Sequence, residues 1–331
     1  MQYRPLGRTD LRVSAIMLGT MTWGEQNSEA EGHAQMDLAL ARGVTFWDTA
    51  EMYPVAPRAE TYGRTEEIIG TWFASRKGQR DKIVLATKAL GPDDGRFPHI
   101  RGGKSRLDLP NLQAAVDASL RRLRTDYIDL YQLHWPDRST NTFGKLGYKP
   151  AANEVMTPIE ETLAALDAIV KTGKVRHIGL SNESPWGTMS FLKQAERGVG
   201  PRVVSIQNAY SLLNRTFESG LAEVAHREDV GLLAYAPAAA GVLSGKYLDG
   251  ARPQGSRIER FPQNTRYMTE SGHAATRAYV DLARKYGLDP VRMATAFVLR
   301  QPFVTSAIVG ATSLDQLENH FAALDLTLPD E

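Results

Sequence analysis

Residues 109–134 read LPNLQAAVDASLRRLRTDYIDLYQLH, and this stretch decides the fold. Its first half carries apolar residues at helical spacing, with Pro110 in the first turn, and predicts a helix over Leu109–Leu123. Its second half, Ile128–His134, is a short aliphatic run that predicts a buried strand ending in a histidine. A helix that leads at once into such a strand is typical of a parallel α/β sheet.

The same alternation repeats along the chain. Strands are predicted at Ser14–Leu18, Thr45–Asp48, Ile83–Lys88, Ile128–His134, Val175–Ser181, Val203–Gln207, Leu232–Tyr235 and Ser306–Val309. Helices are predicted at Ser28–Arg42, Thr65–Ser75, Leu109–Leu123, Pro158–Thr172, Pro185–Glu196, Gly220–Arg227, Ser271–Tyr286 and Leu314–Leu324, with one more at Met293–Arg300.

Eight closely spaced strand–helix units in 331 residues fit a closed (β/α)8 TIM barrel, an α/β fold, with residues 1–331 as a single domain. An open doubly wound sheet is the alternative, but no Gly-x-Gly-x-x-Gly follows any strand. Residues 2–13 have a turn at Arg8-Thr9-Asp10 and predict an N-terminal β-hairpin that closes the bottom of the barrel. Two long connections, 135–157 and 236 to about 270, are expected to be functional loops.

The composition excludes several classes of function. The net charge is +1, so no strong field attracts nucleic acid or an anionic membrane. Cysteine is absent, and the seven histidines lack ligand spacing, so we expect no disulfide, no metal site and no cysteine nucleophile. The N-terminus lacks the apolar region of a signal peptide, and the longest nearly apolar stretch, Gly231–Leu243, is too short to span a bilayer. We therefore expect a cytoplasmic protein without a nucleic-acid or membrane partner.

Four polar residues lie at or near the carboxyl ends of successive predicted strands. Asp48 ends the second strand and Tyr53 follows it in the next loop, while Lys88 and His134 end the third and fourth strands. Because strand ends are neighbours around the mouth of a barrel, these side chains are expected to converge. Singly, each has a structural interpretation: a helix cap, a wall residue, a solvated lysine or a buried histidine. Together, they indicate a catalytic site.

The chemistry of such a cluster is specific. A tyrosine has a pKa of about 10, and a buried ammonium beside it favours the phenolate and is expected to lower that pKa. Lys88 supplies the charge, Asp48 keeps Lys88 charged and oriented, and His134 donates a hydrogen bond to a carbonyl oxygen. We expect Tyr53 to be a proton donor aimed at an oxyanion as it forms.

Seven stretches of the chain resemble the aldo-keto reductase family, most closely the branch that contains the bacterial Tas protein and less closely the potassium-channel β subunits. They are GRTDLRVS (7–14), LGTMTWG (18–24), DTAEMY (48–53), TDYIDLYQLHWP (125–136), GKVRHIGLSN (173–182), QNAYSLLNR (207–215) and VGATS (309–313). The resemblance implies a (β/α)8 barrel, NADPH as hydride donor and reduction of aldehydes or ketones to alcohols. The family's catalytic tetrad falls on Asp48, Tyr53, Lys88 and His134.

The resemblance also implies the residues that bind the cofactor. Those beside the nicotinamide and its ribose are Gly19, Thr20, Met21, Ser181, Asn182, Gln207 and Tyr235. Those that close over the pyrophosphate are Ala236, Pro237, Ala238, Ala239, Ala240, Gly241, Val242, Leu243, Lys246 and Arg257. Those at the adenosine phosphate are Gly310, Thr312 and Gln316, which open the last helix, where backbone N–H groups suit an anion.

Two departures from the family pattern concern the cofactor. The segment after Tyr235 lacks the usual hydroxyl and bulky side chain and reads Ala236-Pro237-Ala238. His320 stands where the adenine-contacting asparagine is expected, with Asn319 one residue early.

Two functions that use a nicotinamide cofactor are open at this point, besides a third interpretation, a phosphate-binding isomerase barrel without nicotinamide. The first is an NADPH-dependent reductase that acts on a small-molecule carbonyl substrate. The alternative is an NADP(H)-binding module that senses redox state for a protein partner, as the resemblance implies for the channel subunits. Those relatives replace the tetrad histidine with asparagine, so the presence of His134 favours the enzyme. No sequence pattern indicates an oligomeric state or the natural substrate.

Overall fold

The computed structural model describes residues 1–143 and 146–329, and ten strands lie in these ranges. They are β1 (Tyr3–Pro5), β2 (Arg12–Ser14), β3 (Ile16–Gly19), β4 (Phe46–Asp48), β5 (Val84–Ala89), β6 (Ile128–Leu133), β7 (Val175–Ser181), β8 (Val203–Ala209), β9 (Gly231–Tyr235) and β10 (Val304–Val309). Strands β3 to β10 form a closed parallel barrel in chain order, with β10 hydrogen-bonded to β3. The barrel prediction is confirmed, and the open sheet is wrong.

Ten α-helices surround the barrel in the same described ranges. They are α1 (Glu29–Ala41), α2 (Arg64–Ser75), α3 (Leu109–Leu123), α4 (Ile159–Lys171), α5 (Pro185–Glu196), α6 (Leu221–Arg227), α7 (Arg257–Arg260), α8 (Glu270–Lys285), α9 (Pro290–Leu299) and α10 (Leu314–Phe321). The predicted bounds of α3 and α5 match the structure at both ends. Helix α9 begins three residues before its prediction, because Asp289 caps it and Pro290 occupies its first position.

The N-terminal hairpin closes the amino end of the barrel, as predicted. Strands β1 and β2 pair in antiparallel register, so Ser14 belongs to the hairpin and not to the first barrel strand. Leu6 and Val13 are fully buried and pack with the barrel-lining side chains Met17 and Phe46. Gly7 has φ +57°, and a Cβ there would lie 2.6 Å from the backbone oxygen of Val204, so the turn requires glycine.

Long connections gather at the opposite, carboxyl end of the barrel. The predicted connections 135–157 and 236–269 are present, although residues 144–145 lie outside the described part of the chain. The second contains two short 3-10 turns, at Ala239–Ser244 and Leu248–Gly250, besides α7. A third long connection, 90–108, precedes α3 and was not predicted as a functional loop. In the described residues, no helix is long and apolar enough to cross a membrane.

Candidate active site

The four residues of the predicted cluster meet at the carboxyl end of the barrel. Asp48 is the last residue of β4, Lys88 lies near the end of β5, and His134 follows β6 directly. Tyr53 lies in the connection after β4, and its ring meets the His134 ring edge to face at a centroid distance of 5.7 Å. All four residues are at most 9% exposed. Successive parallel strands therefore place the four side chains at one point.

Lys88 is the centre of this cluster. Its Nζ atom donates to Asp48 Oδ2 at 2.6 Å, to the Thr49 carbonyl oxygen at 2.8 Å and to the Tyr53 hydroxyl at 3.4 Å. An ammonium has three protons, and each of them has one of these three acceptors, so the position of the side chain is fixed. The Asp48 carboxylate raises the pKa of Lys88 against the effect of burial, so Lys88 stays charged.

The pKa of Tyr53 differs from the expectation. Burial raises the pKa of Tyr53 above its ordinary value, and the Lys88 ammonium lowers it by less. The Asp48 carboxylate also raises the Tyr53 pKa, because it offsets part of the lysine charge. The prediction of a lowered pKa is therefore wrong for this structure. Tyr53 holds its proton at neutral pH.

His134 is a neutral imidazole in this site. Burial, and then the Lys88 ammonium, lower the pKa of His134 well below its ordinary value. Its Nδ1 atom is buried without a hydrogen-bond partner in the described residues. A neutral ring keeps one N–H to donate without adding a charge beside the phenol.

Amide side chains surround the second oxygen of Asp48. Gln207 donates to Asp48 Oδ1 at 2.9 Å and Gln132 donates to the same atom at 3.2 Å. Ser181 donates to the Gln207 carbonyl oxygen at 2.9 Å, and Asn182 donates to the His134 carbonyl oxygen at 2.9 Å. The predicted residues Ser181, Asn182 and Gln207 thus lie against the tetrad, and Gln132 is a further member that the sequence analysis missed.

Tyr235 continues this row of polar groups at the end of β9. Its hydroxyl donates to Asn182 Oδ1 at 2.8 Å, and burial raises the pKa of Tyr235 to about 12. Asn182 and Tyr235 also line a cavity of about 850 Å³ between the connections after β6 and β8. Aromatic side chains on its wall include Phe143, Trp186 and Phe217.

On the other side of the mouth, the strands β3 and β10 bring Gly19 beside Gly310. Thr20 donates to the Asp48 carbonyl oxygen at 2.8 Å, which joins the segment after β3 to the tetrad. Met21 follows, and its sulfur lies 3.9 Å from Arg257 Nη1. The segments predicted to bind the nicotinamide ribose and part of the pyrophosphate are therefore neighbours.

The connection after β9 carries Lys246 and Arg257, which form no ion pair with a described acidic residue; the same holds for Arg252, Arg260 and Arg266. Arg257 has its Nε atom buried and unpartnered, and burial lowers its pKa. Lys246 is exposed, and a Cβ added at Gly241 would lie 3.5 Å from the Lys246 Nζ atom.

The same connection has the left-handed residues Ala236, Ala239, Ala240 and Gly241. Pro237, Ala238, Val242 and Leu243 complete the predicted stretch, in which the side chains of Val242 and Leu243 are buried in one cluster with Tyr247.

The start of α10 is open to solvent. Gly310, Thr312 and Gln316 are exposed, and the Gln316 side chain accepts hydrogen bonds from the Thr312 amide and hydroxyl at 3.2 Å. His320 faces inward and contacts the Thr295 hydroxyl at 2.8 Å.

Asn319, the residue before His320, is engaged elsewhere. Its amide donates to Asp289 at 2.7 Å and accepts from Arg292. His320 is buried, so neither side chain is free to replace the expected asparagine.

Glu51 and Arg101 form a buried ion pair behind Tyr53 that the sequence analysis did not include. Glu51 lies two residues before Tyr53 in the DTAEMY motif, so the position of this carboxylate near Tyr53 could have been predicted from the motif. Nothing in the sequence pairs it with an arginine 50 residues away.

Comparisons with known proteins agree with this geometry. The model of the Aldo/keto reductase family matches residues 15–331. The chain is 50% identical to Protein tas of Escherichia coli strain K12 over 331 residues, which cover all of this chain and 95% of that protein. It is 32% identical to the L-glyceraldehyde 3-phosphate reductase of the same strain, covering 98% of this chain and 88% of the relative.

A more distant relative is a probable voltage-gated potassium channel subunit beta of Oryza sativa. It is 30% identical over 333 residues, which cover 98% of this chain and 92% of that subunit. The resemblance drawn from the motifs is confirmed. The chain belongs to the aldo/keto reductase family and is an oxidoreductase of that family by fold and sequence.

Proposed function

We propose that this protein reduces aldehydes or ketones to alcohols with NADPH, and that Tyr53 is the general acid. The observation that carries the proposal is the buried contact of 3.4 Å between the Tyr53 hydroxyl and the Lys88 ammonium, with His134 beside it. A phenol, an ammonium and an imidazole around one point suit a carbonyl oxygen that gains negative charge.

The roles of the four residues follow from their contacts. Tyr53 gives its proton to the forming alkoxide, and the Lys88 ammonium stabilises the phenolate that remains. Asp48 holds Lys88 in place, since its carboxylate is tied on both oxygens. His134, neutral because it is buried, orients the carbonyl by a hydrogen bond without competing for the proton.

The raised pKa of Tyr53 favours one direction of the reaction. Reduction requires a protonated phenol, and burial keeps Tyr53 protonated at neutral pH. Alcohol oxidation requires the phenolate, which the same burial disfavours. We therefore expect the protein to act as a reductase near pH 7 and to oxidise alcohols only at higher pH.

The residues present fit a nicotinamide cofactor with phosphate groups. Arg257 has a buried, unpartnered Nε atom, and neither Arg257 nor Lys246 forms an ion pair with any described residue. Cations without acidic partners are suited to phosphate oxygens. Together with Thr312 and Gln316 at the open start of α10, they would hold the phosphates, and Ser181, Asn182, Gln207 and Tyr235 would hold the nicotinamide. When bound, NADPH supplies the hydride.

Turnover separates this proposal from the sensor alternative. We expect the purified protein to consume NADPH when 4-nitrobenzaldehyde, an activated aldehyde, is added. Fluorescence titration measures NADPH binding separately. A protein that binds NADPH tightly but reduces none of a panel of aldehydes and ketones would support the redox-sensing module instead.

The cofactor preference is a second measurement. We expect a higher kcat/KM with NADPH than with NADH, because no acidic residue lies in Gly310–Ser313 to accept a ribose hydroxyl. The preference is expected to be modest, since His320 and Asn319 do not offer a free amide to the adenine. Equal efficiencies with the two cofactors would contradict the assignment of the phosphate-binding residues.

A further inference from the structure

A buried ion pair joins two connections behind Tyr53. Glu51 is fully buried, and its carboxylate accepts two parallel hydrogen bonds from Arg101, 2.6 Å from Nη1 and 2.9 Å from Nη2. Arg101 lies in the connection 90–108, and its Nε atom donates to Asn111 of α3 at 3.1 Å. The pair therefore fixes the segment of Tyr53 to the connection after β5 and to the start of the next helix.

Glu51 is also bonded to the strand that carries Lys88. The Glu51 amide donates to the Lys88 carbonyl oxygen at 3.2 Å, and the Glu51 carboxylate accepts from the Leu90 amide at 2.5 Å. These bonds tie Glu51 to Lys88 itself and to the residue two positions after it, while Tyr53 is only two residues from Glu51. The relative position of Tyr53 and Lys88 thus depends on where Glu51 is held.

The backbone at Arg101 supports a specific role for this side chain. Arg101 has φ +47° and Gly102 has φ +67°, a left-handed conformation that favours glycine. A non-glycine residue there is strained, and such strain persists where the surrounding contacts require it. The contact in question is the guanidinium that neutralises Glu51, since a buried carboxylate needs a partner.

We propose that Glu51 and Arg101 are positioning residues, which hold the Tyr53 hydroxyl and the Lys88 ammonium at 3.4 Å. The inference rests on the proposed function, in which Tyr53 is the acid. Coulomb attraction falls with distance, so a wider gap weakens the support that Lys88 gives to the phenolate. A displacement of about 1 Å at a reacting group costs up to about 10² in rate.

The chain offers a matched control at the other end of the barrel. Arg80 and Asp129 form an ion pair of 2.8 Å with side chains 13% and 4% exposed, against 16% and 0% for Arg101 and Glu51. Removal of Arg101 leaves Glu51 without an arginine partner, whereas removal of Arg80 leaves Asp129 with Arg176 at 3.0 Å. Only Arg101 is linked to the tetrad, so the two variants separate lost stability from lost positioning.

The experiment compares Arg101→Met, Arg101→Lys and Arg80→Met. We expect Arg101→Met to lower kcat by about 10-fold to 100-fold, with the NADPH Kd within about twofold, because the pair does not contact the proposed cofactor residues. The alkaline limit of kcat is expected to move upward, since a more distant ammonium lowers the Tyr53 pKa less. Arg101→Lys keeps the charge but not the fork, so its kcat and its pH limit should lie between those of the wild type and Arg101→Met.

Arg80→Met is expected to lower the Tm, by less than Arg101→Met because Arg176 still pairs with Asp129, and to leave kcat per folded molecule and the alkaline limit unchanged. Two results would overturn the proposal: an equal loss of kcat in Arg80→Met, or wild-type kcat and pH limit in Arg101→Met. If Arg101→Met does not fold, Arg101→Lys decides in the same way, since wild-type values for kcat and for the pH limit would overturn the role.

Tyrosinate absorbance makes the test independent of turnover. The difference between each protein and the same protein with Tyr53→Phe isolates the ionisation of Tyr53. If no carbonyl is reduced but Arg101→Met still raises the midpoint of this difference, the proposed function fails and the positioning of Tyr53 stands. If turnover is normal in the wild type and the midpoint does not move, the positioning proposal fails alone.

Discussion

A buried aspartate in a barrel strand lies at each end, Asp48 and Asp129, and the two differ in what their cations contact. Asp48 at the carboxyl end and Asp129 at the amino end are each 3% exposed. Asp48 binds Lys88 at 2.6 Å, whereas Asp129 binds Arg80 at 2.8 Å and Arg176 at 3.0 Å. The two carboxylates are equally buried, but Asp129 pairs with two cations and Asp48 with one, and the further contacts of those cations differ.

At the amino end, the charged groups contact one another, the Tyr127 ring and the backbone. The Tyr127 ring lies between the two guanidiniums, 3.9 Å from that of Arg80 and 3.8 Å from that of Arg176. The remaining Arg80 donors meet the backbone carbonyl oxygens of Ile83 and Tyr127 and the Thr125 hydroxyl, and Asp129 also accepts from the Leu85 amide. Every nitrogen of the Arg80 guanidinium and both oxygens of Asp129 thus have partners, which is the pattern of a network that contributes to stability.

At the carboxyl end, the network stops at groups that can react. The third Lys88 donor meets the Tyr53 hydroxyl, and the neighbouring His134 keeps a buried ring nitrogen without a partner. Buried polar atoms without partners are rare in native proteins and are typical of functional sites. The network around Asp129 thus completes the hydrogen bonds of its carboxylate, and the tetrad retains capacity for a ligand.

Among substitutions that test this comparison of the two ends, we expect the largest loss of turnover at Tyr53. Tyr53→Phe keeps the ring and removes the proton, so we expect turnover to fall by roughly 10² to 10⁴, the range for one positioned acid. Stability should change little, because the Lys88 ammonium keeps its bonds to Asp48 and Thr49. Steady-state kinetics measures the turnover, and urea unfolding measures the stability. Retention of most of the turnover on several carbonyls would remove Tyr53 from the mechanism.

Lys88→Met tests the cation of the same network. Burial already raises the Tyr53 pKa and Lys88 opposes that rise, so removing the ammonium should raise the pKa further. We expect turnover to fall by about 10² and the alkaline limit of kcat to move upward, since the acid keeps its proton to higher pH. The pH profile of kcat is the measurement. An unmoved limit would assign the tuning of Tyr53 to another group.

The strand-end rule explains why much of this site was predictable from the sequence. Asp48, Lys88 and His134 each end a short apolar run, and parallel strands in a barrel bring such ends together. Gln132 also faces Asp48, but one strand carries both Gln132 and His134, and only the barrel register shows that both reach the mouth.

Other features depend on tertiary structure alone. The predicted direction of the Tyr53 pKa shift was wrong. Burial is the largest cause of the shift, and the spacing of residues in the sequence does not show how deeply Tyr53 is buried. The partnership of Glu51 with Arg101 depends on the path of the connection 90–108, including a left-handed arginine that propensity argues against. Neither could follow from local pattern.

Asp129→Asn tests the network at the amino end of the barrel. The change leaves two guanidiniums with one neutral acceptor, and we expect a loss of about 3 kcal/mol in the free energy of unfolding, near the low end for a broken buried pair. The low end applies because Arg176 is half exposed and its charge is partly solvated. Urea unfolding gives the free energy, and kcat per folded molecule should stay within about twofold. A tenfold loss of kcat in fully folded protein would show that the two ends are coupled.

The smallest expected effect lies at the rim of the carboxyl end, at Trp135. Its ring lies 5.1 Å from that of His134 and 5.9 Å from that of Phe143, and its Nε1 atom donates to the Pro92 carbonyl oxygen at 2.9 Å. Trp135 thus joins the tetrad to the connection after β5 and, through Phe143, to the wall of the adjacent cavity. An aromatic pair contributes about 0.5–1.5 kcal/mol beyond its buried area, which corresponds to a change of about 2-fold to 12-fold. We expect Trp135→Ala to lower kcat/KM for aromatic aldehydes by that factor relative to short aliphatic ones, with the NADPH Kd unchanged.

The matched control is Trp186→Ala, which removes an aromatic ring from the same cavity without contact to His134. If Trp135→Ala lowers kcat/KM equally for both classes of aldehyde, the indole orients His134 and does not select the substrate.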